Sequence, residues 1–193
     1  MPYALTLQVR VSEDISLDRF VIISGCSGGG KSTLVDELRR RGYAVVEEPG
    51  RRIVARELEN GGLALPWADA AAFLRQAIKL SLMDRAAAER WTGWVFFDRG
   101  LIDATAALQH LTGEPVMNDL CSAHCYNRHV FLTPPWPEIY VTDQERRHGF
   151  SEAVAEYDRL CEVYPSLGYE ITIVPKTGVE ARADFILAAL QAG

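Results

Sequence analysis

The stretch GCSGGGKST at residues 25–33 decides the fold, because it completes the pattern G-x-x-x-x-G-K-[ST] between a strand and a helix. The apolar run FVIIS at 20–24 precedes it and has the character of a buried strand. Leu34, Val35 and Leu38 follow at helical spacing, and Gly42 marks the expected end of that helix. An ordinary glycine turn with an exposed lysine is the weaker interpretation, because strand, loop and helix occur together.

Such a loop binds phosphate oxygens through its backbone N–H groups, helped by the positive end of the following helix dipole. Lys31 would reach the β- and γ-phosphates of a nucleotide, and the Ser32 hydroxyl would bind Mg²⁺. The sequence therefore predicts ATP and Mg²⁺ as cofactors. A dinucleotide site is not favoured, because G-x-G-x-x-G is absent. The predicted nucleotide-binding residues of the loop are Gly25, Cys26, Ser27, Gly28, Gly29, Gly30, Lys31, Ser32 and Thr33.

The length and composition of the chain limit the classes of protein to which it could belong. With 193 residues, of which 48% are apolar, the chain is long enough for one domain with a substantial core. Its net charge of −6 gives no broad basic face, so a nucleic-acid partner is not expected. We expect no membrane span and no secretory signal, and four scattered cysteines are typical of reduced thiols in a cytoplasmic protein.

Residues 1–18 form a predicted N-terminal extension, and residues 19–193 a single nucleotide-binding domain. In the extension, apolar residues alternate with polar ones from Leu5 to Val11, which leaves three interpretations open: an extra strand, an arm of a homodimer, or a disordered leader. Beyond it, apolar runs alternate with helical patterns, which predicts an α/β fold with a mostly parallel sheet. The predicted strands are 21–24, 43–46, 94–97, 129–132 and 170–174.

Three helix beginnings can also be predicted. A long helical pattern covers residues 66–90, with Pro66 in its first turn. Ser151 is the expected N-cap of a helix over 151–164. Thr177 and Glu180 have the spacing of a capping box at the start of the last helix.

The carboxyl ends of parallel strands are where sites form, so the residues that follow each strand are the candidates. Glu48, after the second strand, is a candidate general base, although Pro49 and Gly50 would also suit a charged turn. Asp98, after the third strand, has the position of a carboxylate that holds Mg²⁺. Arg99 beside it could anchor a substrate or a phosphate. The alternative is that these last two residues cap the next helix.

Further candidates lie outside these two strand ends. Trp67 and Phe73 could form the wall of an acceptor site, with Arg51 and Gln76 as polar contacts, or both aromatic residues could belong to the core. A charged segment near residues 142–150 suits a lid that places Arg146 or Arg147 on the transferring phosphate; a solvated helix is the alternative. The loop that contains Pro175 could flank the base. ATP is preferred to GTP, because the guanine-reading pattern Asn-Lys-x-Asp is absent.

Taken together, these motifs resemble the AAA-type P-loop ATPases that are grouped with the ribosylnicotinamide kinase domain, and more distantly deoxynucleoside and nucleoside monophosphate kinases. The matching stretches are GCSGGGKST at 25–33, EEPGR at 47–51, GGLALPWAD at 61–69, FFDRGLIDA at 96–104, VFLTPPWPEIYVTDQERR at 130–147 and LGYEITIVP at 167–175.

The resemblance implies a three-layer P-loop NTPase fold with helices on both faces of a five-stranded parallel sheet in the order 2-3-1-4-5, and a helical lid. It implies that Glu48 is the base and that Asp98 and Arg99 bind Mg²⁺ and the acceptor. This chain has Asp-Arg-Gly at 98–100 where those kinases have Glu-Arg-Ser. The resemblance therefore supports ATP and phosphoryl transfer better than it supports a nucleoside acceptor.

Two hypotheses of function follow. The first is an ATP- and Mg²⁺-dependent kinase acting on a hydroxyl group of a small molecule, which could be nucleoside-like. The second is a nucleotide-dependent ATPase switch or sensor with a protein or lipid partner. An ATPase that acts on nucleic acid is disfavoured by the acidic composition.

Replacing Lys31 by Ala should weaken the binding of ATP, because the phosphates lose their one charged contact in the loop. Equilibrium titration of the purified variant with ATP measures the effect. Binding equal to that of the unchanged protein would contradict the phosphate-loop interpretation.

Overall fold

The computed structural model describes residues 19–140 and 149–192. Within them, five strands form one parallel sheet in the order β2-β3-β1-β4-β5, which confirms the predicted order. The predicted extension over residues 1–18 lies outside the described residues. The strands are β1 (Phe20–Gly25), β2 (Ala44–Val46), β3 (Val95–Asp98), β4 (His129–Thr133) and β5 (Glu170–Ile173).

Seven α-helices and one 3₁₀ turn connect these strands in the part of the chain that the structure describes. None of these helices is both long and apolar enough to cross a membrane. The helices are α1 (Lys31–Arg40), α2 (Pro49–Asn60), α3 (Ala70–Ala88), α4 (Leu101–Thr112), α5 (Met117–Ala123), α6 (Phe150–Ser166) and α7 (Val179–Ala192), and the 3₁₀ turn is Pro137–Ile139.

Three layers result from the period of two along the central strands. Phe20 and Ile22 of β1 point to one face of the sheet, where they pack in a core with residues of α2 to α6. Val21 and Ile23 point to the other face and pack against α1 and α7. Because both faces are covered, the central strands are continuous apolar runs and not alternating ones.

Three predicted helix beginnings are wrong. Pro66 lies in a turn before α3, whose N-cap is Asp69. The N-cap of α6 is Gly149, so Ser151 lies inside the helix; the Glu152 carboxylate accepts the Gly149 N–H at 2.9 Å. Thr177 donates its N–H to the carbonyl of Pro175 and stands outside α7, which begins two residues later.

The sheet brings the loop after β1 against the end of β4. The Cys26 N–H donates to the Thr133 carbonyl at 2.9 Å. Gly25 has a φ of +115°, and a Cβ atom there would overlap the backbone of Thr133. Glycine is required at this position both by the dihedral angle and by the neighbouring chain. At Gly42, φ is +90° but no atom lies within 4 Å of the Cβ position.

Gly25→Ala should therefore lower the free energy of unfolding by about 3 kcal/mol or more, because backbone must move to admit the methyl group. Gly42→Ala is the matched control. Its free energy of unfolding should fall by only about 1 kcal/mol, because alanine is disfavoured at a positive φ angle but meets no neighbouring atom there. Chemical denaturation of both variants provides the comparison. Equal losses would show that the contact with Thr133 does not constrain the loop.

Candidate functional site

The loop between β1 and α1 is shaped by glycines that other segments approach closely. Gly28 and Gly30 have φ angles of +82° and +74°. A Cβ atom would meet the Tyr140 ring at the first position and the Arg182 guanidinium, at 2.8 Å, at the second. With these close approaches, the backbone of the loop curves around a cavity of about 520 Å³, here named the loop cavity.

Most of the predicted loop residues line the loop cavity, but not all. Gly25 and Gly29 are not among its lining residues and lie against Thr133, at the end of β4, and, for Gly29, also against the next residue, Pro134. The thiol of Cys26 is fully buried and lies 3.4 Å from the carbonyl of Ala153 in α6. The loop residues that line the cavity are Cys26, Ser27, Gly28, Gly30, Lys31, Ser32 and Thr33.

Lys31 points from the start of α1 towards two carboxylates. Its ammonium forms an ion pair with Asp98, at the carboxyl end of β3, and its Nζ lies 3.6 Å from Glu48 Oε2. The side chains of Lys31 and Asp98 are only 6% and 7% exposed. Burial raises the pKa of Asp98, and the adjacent Glu48 raises it further, while Lys31 opposes the rise.

Glu48 stands between three cations at the N-terminus of α2. Arg51 Nε is 3.5 Å and Arg99 Nε is 3.4 Å from its carboxylate, in addition to Lys31. Burial alone would raise the pKa of Glu48, but the charges of Lys31, Arg99 and Arg51 outweigh it and lower the pKa to about 2. The Glu48 carboxylate is therefore ionised in the free protein. Glu48 occupies the N-cap position of α2 without a capping hydrogen bond from its side chain, and Pro49 and Gly50 begin the helix instead of forming the charged turn that the sequence also allowed.

Arg99 occupies a left-handed backbone conformation, with φ of +61°, which is uncommon for a residue with a side chain. Its guanidinium connects three elements: besides Glu48, it binds Asp103 Oδ1 at 3.1 Å and the Gly25 carbonyl at 3.1 Å. Burial alone would lower the pKa of Arg99, but these carboxylates raise it above its ordinary value. The strained backbone aims the side chain across the sheet edge towards the loop.

Sequence reasoning missed Asp103, which holds this arrangement together. Its buried carboxylate accepts hydrogen bonds from the Ser24 hydroxyl, the Gly100 N–H and the Tyr164 hydroxyl, in addition to Arg99. The only local signal was its position three residues after Gly100, which is that of an acid in a capping box. The partners from β1 and α6 are distant in sequence and could not be read from spacing.

A second cavity, of about 570 Å³, opens beside the first and is here named the aromatic cavity. Trp67, Phe73 and Arg51, the residues predicted to contact an acceptor, are among the residues that line it. Most of its remaining lining residues come from α2, α3, α4 and α6. The two cavities share four lining residues at their junction: Ser27, Glu48, Arg51 and Arg99.

Two further predicted site residues, Gln76 and Pro175, line neither cavity. Gln76 is absent from the lining of the aromatic cavity and accepts a hydrogen bond from Arg56 instead. Pro175 does not line the loop cavity, whose wall after β5 is made by Thr177, Gly178 and Val179. Arg146 and Arg147 lie outside the described residues.

Comparisons with known proteins agree with this fold. A family model described as an AAA domain matches residues 20–182. A search of curated protein sequences found no match. Solved structures of low sequence identity share the fold.

Deoxyadenosine kinase from M. mycoides with bound dATP is 16% identical, with a TM-score of 0.62 over 90% of this chain and 99% of that one. Thymidylate kinase from Ehrlichia chaffeensis is 16% identical, with a TM-score of 0.59 over 89% and 97%. The NadR protein in complex with NR is 20% identical, with a TM-score of 0.69 over 91% of this chain and 51% of the NadR chain.

The lowered pKa of Glu48 predicts a pH-dependent contribution to stability. The pKa is about 2 in the folded protein and 4.5 ordinarily, so the carboxylate stabilises the fold above pH 4.5 and loses that effect as the pH falls towards 2. The difference in unfolding free energy between the unchanged protein and Glu48→Gln should therefore be largest near neutral pH and should shrink below pH 4.5. Denaturant titrations at pH 7 and pH 3.5 test this.

Glu47→Gln is the matched control for this experiment, because the neighbouring carboxylate is 66% exposed. It should change the stability little at either pH. A difference for Glu48→Gln that stays constant between the two pH values would contradict the charge arrangement described here.

Proposed function

We propose that this chain, which belongs to the AAA domain family, is a kinase that transfers a phosphoryl group from ATP to a hydroxyl group of a small molecule. Two of the structures that share its fold are named as kinases, for deoxyadenosine and for thymidylate. Similarity at this level of sequence identity shows only that the fold is shared, so the proposed function is argued from the chain's own residues.

The observation that carries the proposal is the meeting of two cavities at one carboxylate. A kinase must hold a phosphate donor and an acceptor side by side, with the reacting oxygen close to the γ-phosphate. The loop cavity suits the donor, and the aromatic cavity suits the acceptor. Glu48 and Arg99 belong to both linings, so they would face the transferring group from either side.

The residues present fit ATP and Mg²⁺. The loop residues from Cys26 to Thr33, apart from Gly29, line the loop cavity, where backbone N–H groups of such a loop would bind phosphate oxygens. Ser32 and Asp98 supply the hydroxyl and carboxylate oxygens that Mg²⁺ prefers. Mg²⁺ would neutralise charge on the phosphates. In the structure Lys31 neutralises Asp98; with a nucleotide bound, Lys31 would instead contact the β- and γ-phosphates.

Glu48 would orient the acceptor hydroxyl and receive its proton. A carboxylate with a pKa near 2 is a weak base, but Lys31 is one of the charges that lower it. If Lys31 turns to the phosphates, that cation is shared with anions of the substrate and the pKa of Glu48 rises. Phosphoryl transfer has a loose transition state, so correct orientation contributes more than basicity. Arg146 or Arg147, in the proposed lid, would stabilise the charge on the transferring group.

The acceptor we propose is nucleoside-like: partly flat and apolar, with at least one hydroxyl group. The aromatic cavity has a volume within the range of about 300–1,000 Å³ that small-molecule sites occupy. Trp67 and Phe73 offer aromatic surfaces for a ring, and polar groups concentrate at the junction. An ATPase switch would need no second cavity open to the same carboxylate, which makes that alternative the weaker one.

The proposal predicts an asymmetric effect of one substitution. Glu48→Gln should bind ATP about as well as the unchanged protein and should lower acceptor-dependent ADP release by about two to four orders of magnitude, the range for removing a general base. ADP release from Mg-ATP should be measured across a panel of nucleosides, nicotinamide riboside and small hydroxylated metabolites.

The controls are a reaction without acceptor, Lys31→Ala, and Glu47→Gln, which should retain activity. Normal transfer by Glu48→Gln would show that the base is wrongly assigned. A slow release that no acceptor increases would favour the ATPase switch with a protein or lipid partner.

A further inference from the structure

Arg182, in α7, is a buried cation for which the described part of the chain offers no carboxylate partner. The residue is 5% exposed. Its Nη1 donates to the carbonyl of Gly30 at 3.0 Å, and its Nε is buried without a hydrogen-bond partner among the described residues. Burial lowers its pKa, and no charge among the described residues compensates for this effect. A buried charge without a partner lowers the stability of the folded protein unless an anion binds to it.

Arg182 lines the loop cavity, which identifies where that anion would come from. The bond to Gly30 does not explain the residue, because the same carbonyl already accepts the Leu34 N–H and the Thr33 hydroxyl, at 3.3 and 3.2 Å. The guanidinium lies over the Trp136 ring, 5.5 Å from its centroid, so the indole orients the cation.

The position of Arg182 within the loop cavity selects one end of the nucleotide. Glu48, Arg51 and Arg99 mark the end that opens to the aromatic cavity, where transfer would occur. Trp136, Arg182 and the turn before α7 line the loop cavity and not the aromatic cavity. A nucleotide whose γ-phosphate faces Glu48 would bring its α-phosphate towards this second group.

We propose that Arg182 binds the α-phosphate of the nucleotide, so that the phosphate chain is held by a cation from the last helix as well as by Lys31. This inference rests on the proposed function for the presence of a nucleotide, but not for the identity or existence of an acceptor. It adds a nucleotide-binding residue that no sequence motif marked.

Arg41 provides a matched comparison, because it also connects α1 with α7. Arg41 is paired: its Nη1 lies 2.5 Å from Asp184, its Nε 2.7 Å from Glu37, and its Nη2 donates to the Glu180 carbonyl at 3.1 Å. It does not line the loop cavity. A structural arginine between these helices therefore looks different from Arg182.

The test is to measure thermal unfolding of the nucleotide-free protein and the equilibrium binding of Mg-ADP and Mg-ATP for Arg182→Met and Arg41→Met. Arg182→Met keeps an unbranched apolar side chain but removes the guanidinium and its charge. It should unfold at the same or a higher temperature than the unchanged protein, because an unpaired buried charge is removed. Its affinity for both nucleotides should fall by about ten- to hundredfold, the range for a hydrogen bond to a charged group.

Arg41→Met should behave in the opposite way, with a lower unfolding temperature and unchanged affinities. Arg182→Lys should bind Mg-ADP more tightly than Arg182→Met, because it retains the cation. A nucleotide-free Arg182→Met that is destabilised or unfolded would assign Arg182 a structural role and overturn the proposal. So would unchanged affinity, or a loss confined to ATP, which would place the contact at the γ-phosphate. Binding of ADP requires no acceptor. The outcome of this binding experiment is therefore valid even if no acceptor is found for the proposed kinase.

Discussion

The balance of charge at the carboxyl edge of the sheet is the constraint on which the site depends. Three cations, Lys31, Arg51 and Arg99, lie among three carboxylates, those of Glu48, Asp98 and Asp103. Each buried charge would be costly alone, and each is compensated by its neighbours. The balance also links elements that are distant in sequence, because its members come from the beginnings of α1 and α2, the end of β3 and the first turn of α4.

This balance also explains how the free protein can keep a phosphate loop without a phosphate. Lys31 is neutralised by Asp98 and Glu48 within the protein, so its ammonium is not left uncompensated. A polyphosphate with its own cation would replace that pairing with another of similar charge. Binding then exchanges partners and creates no new buried charge, which keeps the electrostatic cost of binding low. Arg182 differs, since the described residues leave its charge uncompensated.

Local patterns predicted most of the fold, while contacts between distant segments were beyond them. The five strands could be placed within one or two residues, because apolar runs bounded by turns have few alternatives. Helix beginnings such as Ser151 and Thr177 were misplaced by one or two residues, because a side chain with good capping chemistry was preferred to the nearby glycine that precedes each helix. The proximity of Lys31, Glu48 and Asp98 could be expected, because each lies at or beyond the carboxyl end of a parallel strand. Asp103 and Arg182 could not, because their roles depend on residues more than 60 positions away.

The approach of three different segments to the loop glycines has a consequence for protein engineering. Tyr140 occupies the space of a side chain at Gly28, the Pro134 carbonyl does so at Gly29, and Arg182 does so at Gly30. The curvature of the loop therefore depends on these neighbouring residues as much as on the nine residues of the loop itself. The motif therefore cannot be transferred by itself to another protein. Without these neighbours, the same nine residues between another strand and helix would be as flexible as any glycine-rich linker. They would lose the preorganisation that makes them a binding site.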